Sequence, residues 1–155
     1  MNMQTHDYSN IRVVIVDGML FWRDLIRNFL NELGIRHIRC VSSAKKSWTT
    51  IREFQPHVVI CDWKLPDGSG LELLRLIRHA DESPNRFLNV MMVTAYNEQH
   101  RVHAALRAGV NTYITKPTSA QAFMMKFATS LADERPFEIV GDYFGPPRNH
   151  AFLLQ

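Results

Sequence analysis

Cysteine is scarce in this chain: Cys40 and Cys61 are the two in 155 residues, and neither stands in a CxxC or CxxH spacing. Set in apolar, β-branched stretches, they fit reduced, buried thiols better than a disulfide or a metal site. No apolar run approaches the roughly 20 residues that cross a bilayer. The polar start, Met1 to Asn10, lacks the basic and apolar regions of a secretory signal, so a cytoplasmic protein without a membrane partner is expected. Charge of one sign is also missing, since 18 basic residues stand against 15 acidic ones. The basic residues Arg12, Arg23, Arg27, Lys45, Lys46, Arg75 and Arg78 are scattered, whereas nucleic-acid binders gather such charge into one patch. Solvated helix faces are expected instead, and no nucleic-acid partner.

What is present is about one domain's worth of chain, with no room for a separate output domain. Ile11 to Val16 is a nearly continuous β-branched run, the pattern of a strand covered on both faces. From Phe21 to Leu33 the apolar residues Phe21, Trp22, Leu25, Ile26, Phe29, Leu30 and Leu33 recur at helical spacing, and Gly34 supplies a stop. The alternation continues with a strand over Ile35 to Val41 and a helix from Ala44 to Phe54 capped by Ser43. Strand Val58 to Cys61, helix Gly70 to His79, strand Asn89 to Val93 and helix Glu98 to Ala108 follow. Thr112 to Thr115 is the last strand and Ser119 to Ala132 the last helix. Strict alternation implies a parallel sheet with helices on both faces. A barrel would need eight such units, so an open, doubly wound α/β sheet is favoured.

In open sheets of this kind ligand chemistry sits beyond the carboxyl ends of the strands. The residues at those ends are Asp17, Asp62, Thr94 and Lys116, distant in sequence yet convergent in space. An Asp at a strand end is often only a helix cap, and a Lys before Pro is often solvated, but four such coincidences together override those readings. The segments around them are VDG at Val16 to Gly18, DWKLPDGSG at Asp62 to Gly70, VTA at Val93 to Ala95 and YITKP at Tyr113 to Pro117. Through these motifs, over about residues 10 to 132, the chain resembles the receiver domains of two-component response regulators.

The resemblance implies a flavodoxin-like five-stranded sheet of order 2-1-3-4-5, with a receiver domain over residues 1–132 and a C-terminal tail over 133–155. It implies Asp62 as phosphoacceptor, since a carboxylate can attack phosphorus in line and hold the phosphoryl group as an acyl phosphate. Lys116 would offset the charge of the phosphoryl oxygens, and Thr94 would hydrogen-bond one of them. Thr94 and the aromatic Tyr113 would form the switch. Lys116-Pro117 resembles a pair that often has a cis bond in this family.

Two departures stand out. Receivers usually carry two adjacent acidic residues after the first strand, and here Asp17 is followed by Gly18. A magnesium ion (Mg2+) would then have Asp17, Asp62 and the main-chain carbonyl of Lys64, one charged ligand short, which makes the cofactor doubtful. Lys64 stands where family side chains tune the lifetime of the phosphorylated form; its ammonium either approaches the vacated cation position or points to solvent. Tyr96, at the other tuning position, either shields an acyl phosphate from water or covers the next helix.

The fourth helix is thin in apolar residues, with Val102, Ala105 and Leu106 facing inward beside His100, Arg101 and His103 outside. In the resembling family the surface of the fourth helix, fifth strand and fifth helix binds the downstream protein. After Ala132, proline and glycine punctuate a segment that still carries large apolar groups. It reads either as a strap on its own domain or as a peptide that docks on another protein. The leading expectation is a stand-alone response regulator, not an enzyme, charged by a histidine kinase or phosphotransfer protein. The alternative is a phosphorylation-independent pseudo-receiver, a binding module, favoured by Gly18 and Lys64. A haloacid-dehalogenase-like phosphatase also uses an Asp nucleophile at a strand end, but it expects a second Asp where Lys64 stands.

Overall fold

Apolar runs become short strands and periodic segments become helices in the computed structural model, which describes residues 6–154. In chain order the elements are β1 (Arg12–Val16), α1 (Leu20–Glu32), β2 (His37–Val41), α2 (Ala44–Phe54), β3 (Val58–Cys61), β4 (Lys64–Leu65), β5 (Gly68–Ser69), α3 (Gly70–His79), β6 (Asn89–Thr94), α4 (Gln99–Arg107), β7 (Thr112–Thr115), α5 (Ala120–Ala132), β8 (Glu138–Val140), β9 (Tyr143–Gly145) and α6 (His150–Leu153). Five strands pair in parallel in the order β2-β1-β3-β6-β7. Counted by themselves these run 2-1-3-4-5, the flavodoxin-like order, and the sheet reverses direction of winding between β1 and β3.

Alternation along each strand sends side chains to opposite faces. Val13 and Ile15 meet Ile26, Leu30, Phe123 and Phe127 of α1 and α5. Val14 and Val16 instead join Ile51, Leu74 and Ile77 of α2 and α3. Because both faces are covered, the central strands read as continuous apolar runs rather than as alternating ones. No helix among the described residues is long and apolar enough to cross a membrane.

Three expectations are corrected. The strand begins at His37 rather than Ile35: Gly34 adopts φ 89° and the Ile35 amide donates to the Leu30 carbonyl, so these residues close α1 before the strand can start. Cys40 is only half-buried, because β2 is an edge strand, and its Sγ lies 3.1 Å from the Arg27 guanidinium. Arg78 does not belong to a solvated helix face at all; it is 1% exposed. Its guanidinium donates to the carbonyls of Gly109, Arg86 and Leu88 and to Asn111 Oδ1, at 2.7–3.0 Å.

The chain beyond α5 supplies the cover for that guanidinium. The β8–β9 hairpin packs beside α3, and Arg78 lies 4.9 Å from the centre of the Phe137 ring. Gly145 lies so close to Gly109 that a Cβ on it would sit 2.7 Å from Gly109 Cα. Arg148 donates to the Val110 carbonyl, and in α6 the Leu153 carbonyl accepts from Arg107 of α4 at 3.2 Å.

Candidate functional site

The loop from Asp62 to Gly70 is shaped by its own residue types. Ser69 caps α3 by accepting from the Glu72 amide, and Asp67 reaches across to accept from the amides of Ala44 and Lys45, capping α2. Those two bonds hold the Asp67 carboxyl below its usual range, with the Lys45 amide as the larger cause. Gly70 has to lack a Cβ, since one would stand 2.1 Å from the Asp62 carbonyl oxygen. The Gly70 amide donates to the Trp63 carbonyl at 2.7 Å, which folds the loop back and presents Asp62 at the mouth of the sheet.

Three residues from the ends of β1, β3 and β7 meet there. Lys116 Nζ lies 2.7 Å from Asp17 Oδ2 and 2.9 Å from Asp62 Oδ2. Lys116 and Asp17 are almost fully enclosed, whereas the Asp62 side chain keeps 13% exposure and so can be reached from solvent. The second oxygen of each carboxylate is also engaged: Asp17 Oδ1 accepts from the Met19 amide and Asp62 Oδ1 from the Trp63 amide. Two negative charges share one positive charge, and the pair would be costly to bury without it. Cys61, directly below, is pushed up to about 12 by burial and then by the carboxylates of Asp62 and Asp17, so it is an inert thiol.

Thr94 is buried at the end of β6, and its Oγ1 accepts from the Tyr96 amide at 3.3 Å. Tyr113 lies on β7 with its hydroxyl donating to the Tyr96 main-chain carbonyl. Burial, then the nearby Glu98 carboxylate, raises its phenol above the usual range, so it remains a donor. The Lys116-Pro117 peptide is cis.

Lys64 is placed differently from its carbonyl-bearing neighbours. It lines a cavity of about 300 Å³ with Asp17, Gly18, Met19, Asp62, Leu65 and Pro66, yet its side chain is exposed and lies within ion-pair distance of neither carboxylate. The cause is local: Lys64 pairs with Ser69 in the β4–β5 hairpin, and because Leu65 points into the core, its neighbour must point out. Gly18 is exposed at the cavity's edge, where a Cβ would meet Pro66 Cδ at 3.3 Å.

Sequence reasoning missed several participants. Trp22, read only as an apolar position of α1, places its ring 4.6 Å from Lys116 Nζ. Arg23 donates to the Asp17 carbonyl at 2.7 Å, fixing the end of β1. Arg101, read as an outward residue, lies over the rings of Tyr96 and Trp63 at 4.0 and 5.2 Å. A usable signal for the first is that Trp22 lies in the first turn of the helix that follows Asp17, at the same edge of the sheet as the strand-end lysine. Nothing in the sequence distinguishes Arg101 from its solvated neighbours.

Residues 13–128 match the family model described as the response regulator receiver domain. The chain is 32% identical over 118 residues to chemotaxis protein CheY-3 of Vibrio cholerae, covering 76% of this chain and 89% of that protein. It is 32% identical over 116 residues to chemotaxis protein CheY of Pseudomonas aeruginosa, covering 75% and 92%. Among solved structures, the BeF3-activated DrrB receiver domain superposes with a TM-score of 0.67 at 22% identity, over 78% of this chain and 97% of that one, a likeness of fold.

Proposed function

Because the chain belongs to the response regulator receiver domain family, we propose that Asp62 accepts a phosphoryl group from a histidine kinase or a histidine phosphotransfer protein, and that the domain then signals in the cytoplasm through protein contacts. Receiver domains are signalling proteins rather than turnover enzymes. The observation that carries the reading is Lys116 Nζ set between Asp62 and Asp17. In the transfer, an Asp62 oxygen bonds to phosphorus as the phosphorus–nitrogen bond of the phosphohistidine breaks, and the electron pair leaves with the imidazole. Lys116, already in contact with Asp62, offsets charge on the phosphoryl oxygens as it develops. Thr94 turns its hydroxyl from the Tyr96 amide to a phosphoryl oxygen, and Tyr113, bonded to the same residue's carbonyl, reads that movement. The face formed by α4, β7 and α5 meets the downstream protein.

Receiver domains generally bind Mg2+ at the acidic pocket. The residues present here do not fit a tightly held ion. Among the described residues no cluster of three or more His, Cys, Asp or Glu side chains stands ready to hold a metal. All four oxygens of Asp17 and Asp62 already have partners, and Gly18 contributes none. Octahedral coordination would rest on few protein groups, and weak binding is the consequence.

Those same facts favour a second reading, a pseudo-receiver whose contacts do not depend on phosphorylation. Incubation with a labelled phosphohistidine donor, with and without magnesium, separates the two. The phosphoacceptor reading expects an acid-stable, hydroxylamine-labile label that Asp62→Asn abolishes; absence of label in the native protein under both conditions establishes the binding module.

A further inference from the structure

Beside Asp62, side chains from the β3–β4 loop, the β6–α4 loop and α4 form one stack. Trp63 follows Asp62 and donates its amide to Asp62 Oδ1 at 2.6 Å, so the two move together. Its ring meets the ring of Tyr96 edge-on, at 6.5 Å and 90°. The guanidinium of Arg101, from the first turn of α4, caps both, 4.0 Å from the Tyr96 ring centre and 5.2 Å from that of Trp63. Tyr96 is fixed by its backbone as well, through the Tyr113 hydroxyl and Thr94 Oγ1.

Arg101 is partly enclosed against this stack. Its Nε is buried without a hydrogen bond, and the Glu98 carboxylate one turn back makes an ion pair with it at 3.6 Å. The cation is held by the aromatic faces beneath it together with the Glu98 charge, and the contact with the rings strengthens as water is excluded. Arg101 thus bridges the two rings from α4.

We infer that Arg101 is a positioning residue which locks Tyr96 and Trp63 as a wall beside Asp62, slows the attack of water on the phosphorylated carboxylate, and ties α4 to the state of the site. The inference rests on Asp62 being phosphorylated. In the reaction it restrains, a water oxygen bonds to phosphorus, the bond from phosphorus to the Asp62 oxygen breaks, and inorganic phosphate leaves with the water's proton while the carboxylate is restored. The wall lowers the number of water molecules that can line up for that displacement. Arg101 acts through the rings rather than on the phosphorus.

The test compares decay of the labelled protein after removal of the donor. Arg101→Ala is expected to lose label about threefold faster or more, and Arg101→Lys, whose ammonium can also sit on an aromatic face, is expected to recover part of the lifetime. Tyr96→Ala should be fast on its own, and adding Arg101→Ala to it should change nothing further, because a clamp without its ring has nothing to hold. An Arg101→Ala lifetime equal to the native one, or effects that simply multiply in the double variant, overturns the inference. A loss of fold alone would not give rescue by lysine at an unchanged melting temperature. Should the native protein take no label, the phosphoacceptor reading fails by itself, and the wall is judged in the unphosphorylated state. With Trp22 and Trp48 changed to phenylalanine, acrylamide should quench Trp63 more strongly in Arg101→Ala than in the parent; equal quenching refutes the wall.

Discussion

Lys116 and Arg78 are both buried cations, at opposite ends of the same sheet, and they are solvated by opposite means. At the carboxyl end Lys116 is held by two carboxylates, whose charge balances its own. At the amino end Arg78 is held by three main-chain carbonyls and one side-chain amide oxygen, with no carboxylate in its hydrogen bonds. Dipoles satisfy donors but do not cancel charge, and burial accordingly pulls the Arg78 guanidinium down from its usual value to about 9. The planar fork suits this task, since its donors point at fixed acceptors. A cation whose partners are mobile side chains can exchange them when a phosphoryl group arrives. One whose partners are backbone cannot, and serves to weld α3, the α4–β7 loop and the start of β6 into one body.

If Arg78 is the structural cation and Lys116 the chemical one, stability follows Arg78 and labelling follows Lys116. Arg78→Leu takes the guanidinium from the carbonyls of Gly109, Leu88 and Arg86, while Asn111 Oδ1 keeps the Val90 amide, and a loss of about 3–5 kcal/mol in urea unfolding is expected, with any folded remainder still able to take label. Lys116→Met leaves the enclosed Asp17 carboxylate without its counter-charge, but the Met19 amide still donates to it and Asp62 can turn to water, so a somewhat smaller loss of about 2–3 kcal/mol is expected, while labelling falls to background. A Lys116→Met protein that unfolds more easily than Arg78→Leu would reverse the assignment of structural and chemical roles.

Next in size is the cover over Arg78. In Gly145→Ala the new methyl meets Gly109 Cα and the Tyr143 hydroxyl oxygen at 2.7 Å, forcing the β8–β9 hairpin away from the α4–β7 loop. A loss of about 2–3 kcal/mol is expected. Gly141→Ala is the control: φ is 61° but nothing lies within 4 Å of the new atom, so only backbone strain of about 1 kcal/mol applies. Equal losses in the two variants would mean that the hairpin's contact with Gly109 contributes little.

The same contrast explains what could be read in advance. The strands and helices were legible because burial on both sheet faces writes itself as β-branched runs, and helices with one buried face write theirs at helical spacing. The meeting of Asp17, Asp62 and Lys116, with Thr94 at the end of the neighbouring strand, was legible because strand ends in a parallel sheet share one edge. Arg78 was not, since its partners are carbonyls, which every residue has, and the segment that covers it carries turn residues without periodicity. Arg101 escaped for a similar reason: cation and ring lie on different elements, and no spacing along the chain encodes their meeting. The orientation of Lys64 followed only from the tight β4–β5 pairing, which a two-residue strand is too short to announce.

The carboxyl end can be sharpened by restoring a charge. Gly18→Asp would place a third carboxylate at the rim of the cavity that Asp17 and Asp62 line, at the cost of a 3.3 Å approach to the end of the Pro66 ring, which can shift by a few tenths of an ångström. Magnesium affinity, followed by Trp63 fluorescence, should rise about tenfold or more. In the absence of the ion the added charge should destabilise the fold slightly, because Lys116 alone then faces three carboxylates. No gain in affinity would show that Pro66 or the engaged oxygens, rather than the missing acid, limit the site.

The smallest effect lies back at the amino end, where His57 repeats on a lesser scale the neutral solvation seen at Arg78. Its Nδ1 accepts the Arg12 amide at 2.9 Å, a bond that needs the ring nitrogen unprotonated. Desolvation, and then the Arg12 charge, hold its pKa below the usual 6.5 in the folded chain. The unfolded chain therefore binds the proton first as pH falls, so the contribution of His57 is complete above the unfolded value and lost on descending through the folded one. His57 is exposed, and the loss is correspondingly small. Unfolding curves between pH 7 and pH 5 should show a shallower decline for His57→Gln, whose side-chain oxygen accepts the same amide without titrating. A decline of equal slope in both proteins would assign the acid sensitivity of this end to other groups and leave His57 as a surface residue with an incidental hydrogen bond.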